Sequence, residues 1–137
     1  MSASEGRHGP QSGFLCSDSA ISAYRFVVPD GANSAANLTV VKAASGNAAA
    51  IIGATFEATT AANQNVGVNH GAGQIVYLEV DGSGTAVTAG ARLTADSVGR
   101  GVVTTTATHH VGAVALAGAT TAGAIIPVML TPCAFGA

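Results

Sequence analysis

The chain has 137 residues and a formal net charge of −2, and only 9% of its residues are charged. This length fits one domain. The few basic residues are scattered, which argues against a phosphate-driven nucleic-acid interface. No apolar run approaches the ~20 residues that span a bilayer, and the N-terminus lacks the regions of a signal peptide. We therefore expect a protein made and used without export through a membrane.

The low charge also bears on assembly. Typical soluble domains are about 25% charged. Alanine is the commonest apolar residue here, and it buries little area, so the core should be thin. Thin cores are often supplemented by oligomerisation. We therefore expect a permanent homo-oligomer; the alternative is a polar surface of Thr, Ser and Asn that needs few charges.

Residues 1–20 are rich in Gly, Ser and polar side chains. This composition is typical of a disordered tail. The alternative is an extended N-terminal arm in which Phe14 and Leu15 anchor on a neighbouring subunit, and we adopt that alternative for an assembled protein. The arm would precede a single domain over residues 21–137.

Short β-branched or alternating runs separated by turn residues follow in order, and each predicts a strand. Regular turn signals of this kind indicate an all-β fold, either a small sandwich or a barrel. Pro127 has no N–H, so its strand should be an edge or should lack a partner on its donor side there. In the short tail, Phe135 is a possible anchor. The predicted strands are 21–28, 38–42, 48–58, 64–70, 74–80, 92–95, 101–106, 111–117 and 124–130.

The sequence also contains a weak internal repeat. The pattern of Gly-Ala, Ala-Thr-Thr and Val or Ile residues over 52–68 recurs over 111–128, at offsets of 59 to 61 residues. Residues 36–39 resemble residues 91–94, at an offset of 55. Two related halves, 21–70 and 73–131, are predicted; chance similarity in an Ala- and Thr-rich chain is the alternative.

No group of residues predicts catalysis or a cofactor. His109 and His110 are adjacent, so on a strand they point to opposite faces and cannot share one metal ion. His70 occupies a matching loop position in the first half. Cys16 and Cys133 could pair only if the termini meet; two reduced thiols are the expected state. Of the carboxylates, Asp30, Asp81 and Asp96 are typical turn residues.

The chain resembles the small capsid cement, or head decoration, proteins of tailed bacteriophages. The resemblance covers roughly residues 73–131, more weakly 21–70, and it implies a non-enzymatic protein that binds the outer surface of an assembled capsid. The implied partners are the major coat protein and two further copies in a homotrimer, after assembly in the host cytoplasm. The motifs that carry it are Ala89–Asp96, the linker Asp96-Ser97-Val98-Gly99, Gly99–Val103, Val111–Leu116, Ala122-Gly123 and Ile126-Pro127-Val128.

Two other functions remain as alternatives. A carbohydrate-binding β module would need exposed aromatic platforms, and only Tyr24 and Tyr77 are available. An enzyme would need a constellation of reactive side chains that the sequence does not present. The candidate partner contacts are Phe14, Leu15 and Phe135; we expect no metal, cofactor, nucleic acid or membrane partner.

Overall fold

A computed structural model describes residues 11–16, 20–31, 39–44 and 50–135, apart from four side chains near the ends, those of Gln11, Ser12, Cys133 and Phe135. The expected all-β fold is confirmed, since the described residues form ten strands. No helix in these ranges is long and apolar enough to cross a membrane. The strands are β1 (Gln11–Cys16), β2 (Phe26–Pro29), β3 (Thr39–Lys42), β4 (Gly53–Thr55), β5 (Gln64–Asn69), β6 (Ile75–Asp81), β7 (Arg92–Ala95), β8 (Gly101–Val103), β9 (His110–Ala115) and β10 (Ala122–Phe135).

The strands close into two barrels of five strands each. Barrel 1 has the order β1-β3-β2-β4-β5, and barrel 2 has the order β6-β8-β7-β9-β10 when it is read around the ring from β6. In each barrel the first and third strands along the chain are parallel, and all other pairs are antiparallel. The two halves of the chain therefore share one topology.

The registers also agree. Val68 pairs with Thr55 in barrel 1, and Val128 pairs with Ala115 in barrel 2, so both strands are offset by 60 residues. The Phe26–Ala54 pair corresponds in the same way to Arg92–Val114. This correspondence matches each position of barrel 1 with one position of barrel 2.

Two unusual backbone positions recur in both halves. Tyr24 has a φ of 63° and donates its N–H to the Thr55 carbonyl; Gly90 has a φ of 90° and donates to the Ala115 carbonyl. A positive φ is costly for a residue such as tyrosine, so its recurrence marks a turn that the topology requires.

The barrels pack on each other through β2. Val27 points into barrel 1 with the core residues Val66 and Val68. Phe26 and Val28, on the opposite face of β2, belong to the same apolar cluster as the interior of barrel 2. The Phe26 N–H donates to the Gly99 carbonyl of barrel 2 at 2.8 Å. The two barrels therefore share a continuous core, which enlarges the thin core expected from the alanine content.

The structure corrects three expectations. Residues 11–16 are not part of an arm: they form β1, which pairs with β3 and with all of β5, because the barrel needs a fifth strand to close. Pro127 does not lie in an edge strand, since β10 pairs with β6 and β9; its missing N–H faces Leu116, which still donates to the Pro127 carbonyl. Finally, the register matches Leu93 with Val27 and not with residue 38, so the repeat at offset 55 is wrong.

Gly112 is where the two barrels approach most closely. A Cβ at this position would lie 2.5 Å from the Phe26 ring and 2.7 Å from Ile51. We predict that Gly112→Ala lowers the free energy of unfolding by about 1–3 kcal/mol, because overpacking forces the Phe26 ring to move. Chemical denaturation measures the change. The control is Gly84→Ala, where a Cβ meets nothing within 4 Å; equal loss in both variants would contradict the prediction.

The position of β1 gives a prediction about truncation. Deleting residues 1–10 should leave cooperative thermal unfolding intact, whereas deleting residues 1–20 should abolish it, because β3 and β5 lose the strand between them. Unpaired backbone groups and an open barrel core are both destabilising. Circular dichroism during heating is the measurement. Normal unfolding of the longer deletion would show that β1 is dispensable.

Candidate docking surface

The charged residues of barrel 2 organise a turn. The Asp96 carboxylate accepts the N–H groups of Val98 and Arg100, both at 2.9 Å, and its other oxygen pairs with the Arg100 guanidinium at 2.8 Å. Arg100 also reaches Asp81 at 3.3 Å. These contacts close the β7–β8 connection, and they give Asp96 the role of a turn residue.

The environment shifts two of these groups. Hydrogen bonds from the Ser83 hydroxyl and N–H, at 2.6 and 3.0 Å, lower the pKa of Asp81, with a smaller contribution from the positive charge of Arg100. The hydrogen bond to Asp96 raises the pKa of Arg100. Both shifts favour the ionised forms, so these groups act as fixed charges of the turn.

A second ion pair links the barrels. The Arg25 guanidinium donates to Glu79 Oε2 at 3.1 Å and to the Val98 carbonyl at 2.9 Å. Both side chains of the ion pair are less than one-fifth exposed. The Glu79 N–H also donates to the Tyr24 carbonyl. These contacts flank Phe26 and fix the orientation of barrel 1 against barrel 2.

The histidines are dispersed. His109 Nδ1 lies 2.9 Å from the Thr104 hydroxyl, and the His70 ring meets the Phe14 ring edge-on at 6.3 Å. Among the described residues, no three His, Cys, Asp or Glu side chains lie close enough to hold one metal ion. Cys16 is buried in barrel 1, and the Cys133 side chain lies outside the described part.

The largest unusual feature is an exposed apolar surface on barrel 2, here called the barrel 2 face. Strand β6 alternates strictly: Val76, Leu78 and Val80 fill the barrel, and the residues between them point outwards. Strand β10 does the same with Ile126, Val128 and Leu130 inside. The exposed large side chains are Ile75 (46%), Tyr77 (45%), Leu116 (40%), Ile125 (50%) and Met129 (37%).

Strand register makes this surface continuous. Ile75 pairs with Met129, and Met129 pairs with Val114 on the other side of β10. One level along, Tyr77 pairs with Pro127, whose carbonyl accepts the Leu116 N–H. Directly opposed residues lie about 4.5–5.5 Å apart across strands. The side chains therefore form two apolar rows that cross β6, β10 and β9.

The same surface of barrel 1 is different. The positions of Ile125 and Pro127 are taken by Asn65 and Gly67, and the Phe56 ring lies directly over Gly67. Two halves with one topology therefore present unlike surfaces. If a large apolar side chain has about 200 Å² of surface, the barrel 2 face exposes about 400 Å², which is typical of a functional patch.

The structure separates the three candidate contact residues. Phe14 is half-buried and packs against the barrel 1 core, and Leu15, also half-buried, points to the other side of β1. The backbone of Phe135 pairs with His110 at the end of β10, and its side chain lies outside the described part. The structure does not bring these three residues together.

Sequence analysis missed the barrel 2 face, although it contained a signal. Residues 125–129, Ile-Ile-Pro-Val-Met, are apolar at every position, and not only at alternate ones. In an antiparallel sheet, such a strand has an apolar side chain on both faces, which predicts that the outer face is also covered. That inference needs the pairing partners of β10, which the sequence does not give.

The fold is similar to that of a solved phage protein. The crystal structure of head fiber gp8.5 N base in bacteriophage phi29 matches with a TM-score of 0.64 and 17% sequence identity, over 89% of this chain and 93% of that chain. No protein-family model matches this chain, and no curated protein does. At this level of identity the likeness establishes a shared fold.

The shifted pKa of Asp81 gives a prediction for acid stability. Its folded value lies below the ordinary 3.8, so the carboxylate stabilises the fold above that pH, and the effect disappears as the pH falls through the folded value. Asp81→Asn should lower the melting temperature slightly at pH 6 and should flatten its pH dependence below about pH 4. Melting curves of both proteins from neutral to acid pH measure this. Parallel curves would contradict it.

Proposed function

We propose that the chain is a structural protein of a phage virion that binds the outer surface of an assembled head, as cement or decoration proteins do. The observation that carries this proposal is the fold likeness to a phage head fiber base, which extends over nearly all of both chains. The resemblance of residues 73–131 to capsid cement proteins supports it independently. The major coat protein is the proposed partner.

The proposed mechanism is binding without catalysis, cofactor or nucleic acid. The ionised groups of the described residues serve structure: Arg25 and Glu79 join the barrels, and Arg100 and Asp96 close a turn. The surface that stands out is apolar, and apolar area is what drives protein association in water. The protein would therefore act by adding contacts between neighbouring coat subunits.

We propose that the chain is a homotrimer that assembles in the host cytoplasm and then coats the head. Burial of about 400 Å² contributes about 10 kcal/mol before costs, while association itself costs about 4–15 kcal/mol. One such contact is therefore marginal. Three linked copies on a repetitive shell bind together, and their weak contacts combine.

A second candidate is the base of a head fibre. It is favoured by the structural neighbour, whose own description is that of a head fiber N base. A fibre base would carry a projecting part beyond the head surface, whereas a cement protein would lie flat on it. Negative-stain images of heads with and without the bound chain would show which arrangement is present.

Virion analysis tests the proposed function. Particles purified from the phage that encodes this chain should contain many copies of it, and heads stripped of it should bind the added chain until the sites saturate. Heads already saturated are the control for non-specific binding. Heads that carry the chain should also retain their DNA at higher temperature. A chain that is absent from particles, and that does not pellet with stripped heads, would overturn the proposal.

A further inference from the structure

The duplicated topology shows what the barrel 2 face corresponds to in barrel 1. Positions Arg92 and Val114 of barrel 2 match Phe26 and Ala54 of barrel 1. Phe26 and Ala54 are fully buried, and they belong to the apolar cluster that the two barrels share. In barrel 2 the matching residues border the exposed apolar rows. Barrel 1 therefore uses this side for docking, and barrel 2 leaves it open.

The surface that receives barrel 1 can be matched in the same way. On barrel 2 it includes Gly112, which lies against Phe26, and Glu79, which binds Arg25. The registers match Gly112 with residue 52 and Glu79 with residue 15. Those positions hold Ile52 and Leu15, both only half-buried. Barrel 1 thus carries an apolar version of the receiving surface.

We propose that the barrel 2 face binds a second copy of this chain, at the Leu15 and Ile52 side of that copy's barrel 1. The contact repeats, between molecules, the way in which barrel 1 packs on barrel 2 within one molecule. The inference deepens the trimer part of the proposed function: it names the surfaces through which the copies associate.

The exchanged residues suit this contact. Within the molecule, Arg25 pairs with Glu79 across the barrel interface. Between molecules, the matching positions are Ala91 and Leu15. Both partners of the ion pair are thus replaced by apolar residues, so neither leaves an unpaired charge at the interface. The apolar rows around Met129 and Leu116 meet apolar side chains in place of a charge.

The contact is head-to-tail, because two different surfaces meet. Such a contact propagates until it closes into a ring, and a ring of three copies would place six barrels in alternation. The exposed area of about 400 Å² is half of the ~800 Å² per partner in a standard interface. An isolated pair is therefore weak, and closure of the ring supplies the additional contact that holds the assembly together.

Sedimentation velocity over a hundredfold range of protein concentration tests the contact. The wild-type chain should sediment as a multiple of 13.2 kDa. The variant Leu116→Asp/Met129→Asp should sediment as a monomer, with its association constant reduced at least tenfold. The matched control is Asn65→Asp/Thr105→Asp, which adds the same charge at exposed sites outside both surfaces and should behave like the wild type. Melting curves of each variant verify that it is folded.

A mixing experiment distinguishes this contact from a symmetric one. Leu15→Asp should also be monomeric, because it removes the receiving surface. Mixed with Leu116→Asp/Met129→Asp, it should form a 1:1 pair, since each variant retains the surface that the other needs. A symmetric contact would give no pair in the mixture. A wild-type monomer at every concentration, or a mixture without pairs, would overturn the inference.

The outcomes for the proposed function remain separate. A monomer that binds stripped heads through the barrel 2 face would assign that face to the coat protein, and self-association would be wrong while the function stands. An oligomer that fails to bind heads would leave the self-association intact and overturn the proposed function.

Discussion

The structure depends on the packing of one aromatic ring between two barrels. Phe26 is fully buried, its N–H is bonded to barrel 2, and its ring lies against the bare backbone of Gly112. Because β2 is covered on both sides, it connects the interior of barrel 1 with that of barrel 2. A chain with so much alanine gains a larger core in this way than either barrel would have alone.

Duplication with divergence explains how one fold can present two kinds of surface. Closure requires the same strand order in each half, and it requires the same positive-φ turns at Tyr24 and Gly90. It places no demand on side chains that point outwards. Barrel 1 could therefore keep Asn65 and Gly67 where barrel 2 has Ile125 and Pro127. The outer surface is thus free to specialise for binding without any change in the core.

The few charges of the chain are placed where they substitute for missing apolar contacts. Arg25 reaches the Val98 carbonyl and Glu79 from the other barrel, and Arg100 holds the β7–β8 turn through Asp96. Partly buried, hydrogen-bonded ion pairs of this kind fix geometry more than they add stability. The surface is left with little charge, which suits a protein that is covered by its neighbours.

The sequence by itself determined the all-β fold and much of the strand order. Alternation over 74–80 and the turn residue Asp81 define β6 through local backbone preferences, and such preferences are readable along the chain. The near-60 spacing of the repeat also appeared in the sequence, because β5 and β10 retain similar residues. These features all depend on neighbours within a few positions.

Tertiary structure alone decided the role of residues 11–16 and the location of the barrel 2 face. Nothing local distinguishes β1 from an arm, since the partners that make it a strand lie some 50 residues away in β5. Likewise, Tyr77, Leu116 and Met129 become one surface only when three strands adopt their register. Strand pairing is a non-local interaction, and a one-residue slip would turn every one of these side chains into the core. The sequence specifies that register only through the folded whole.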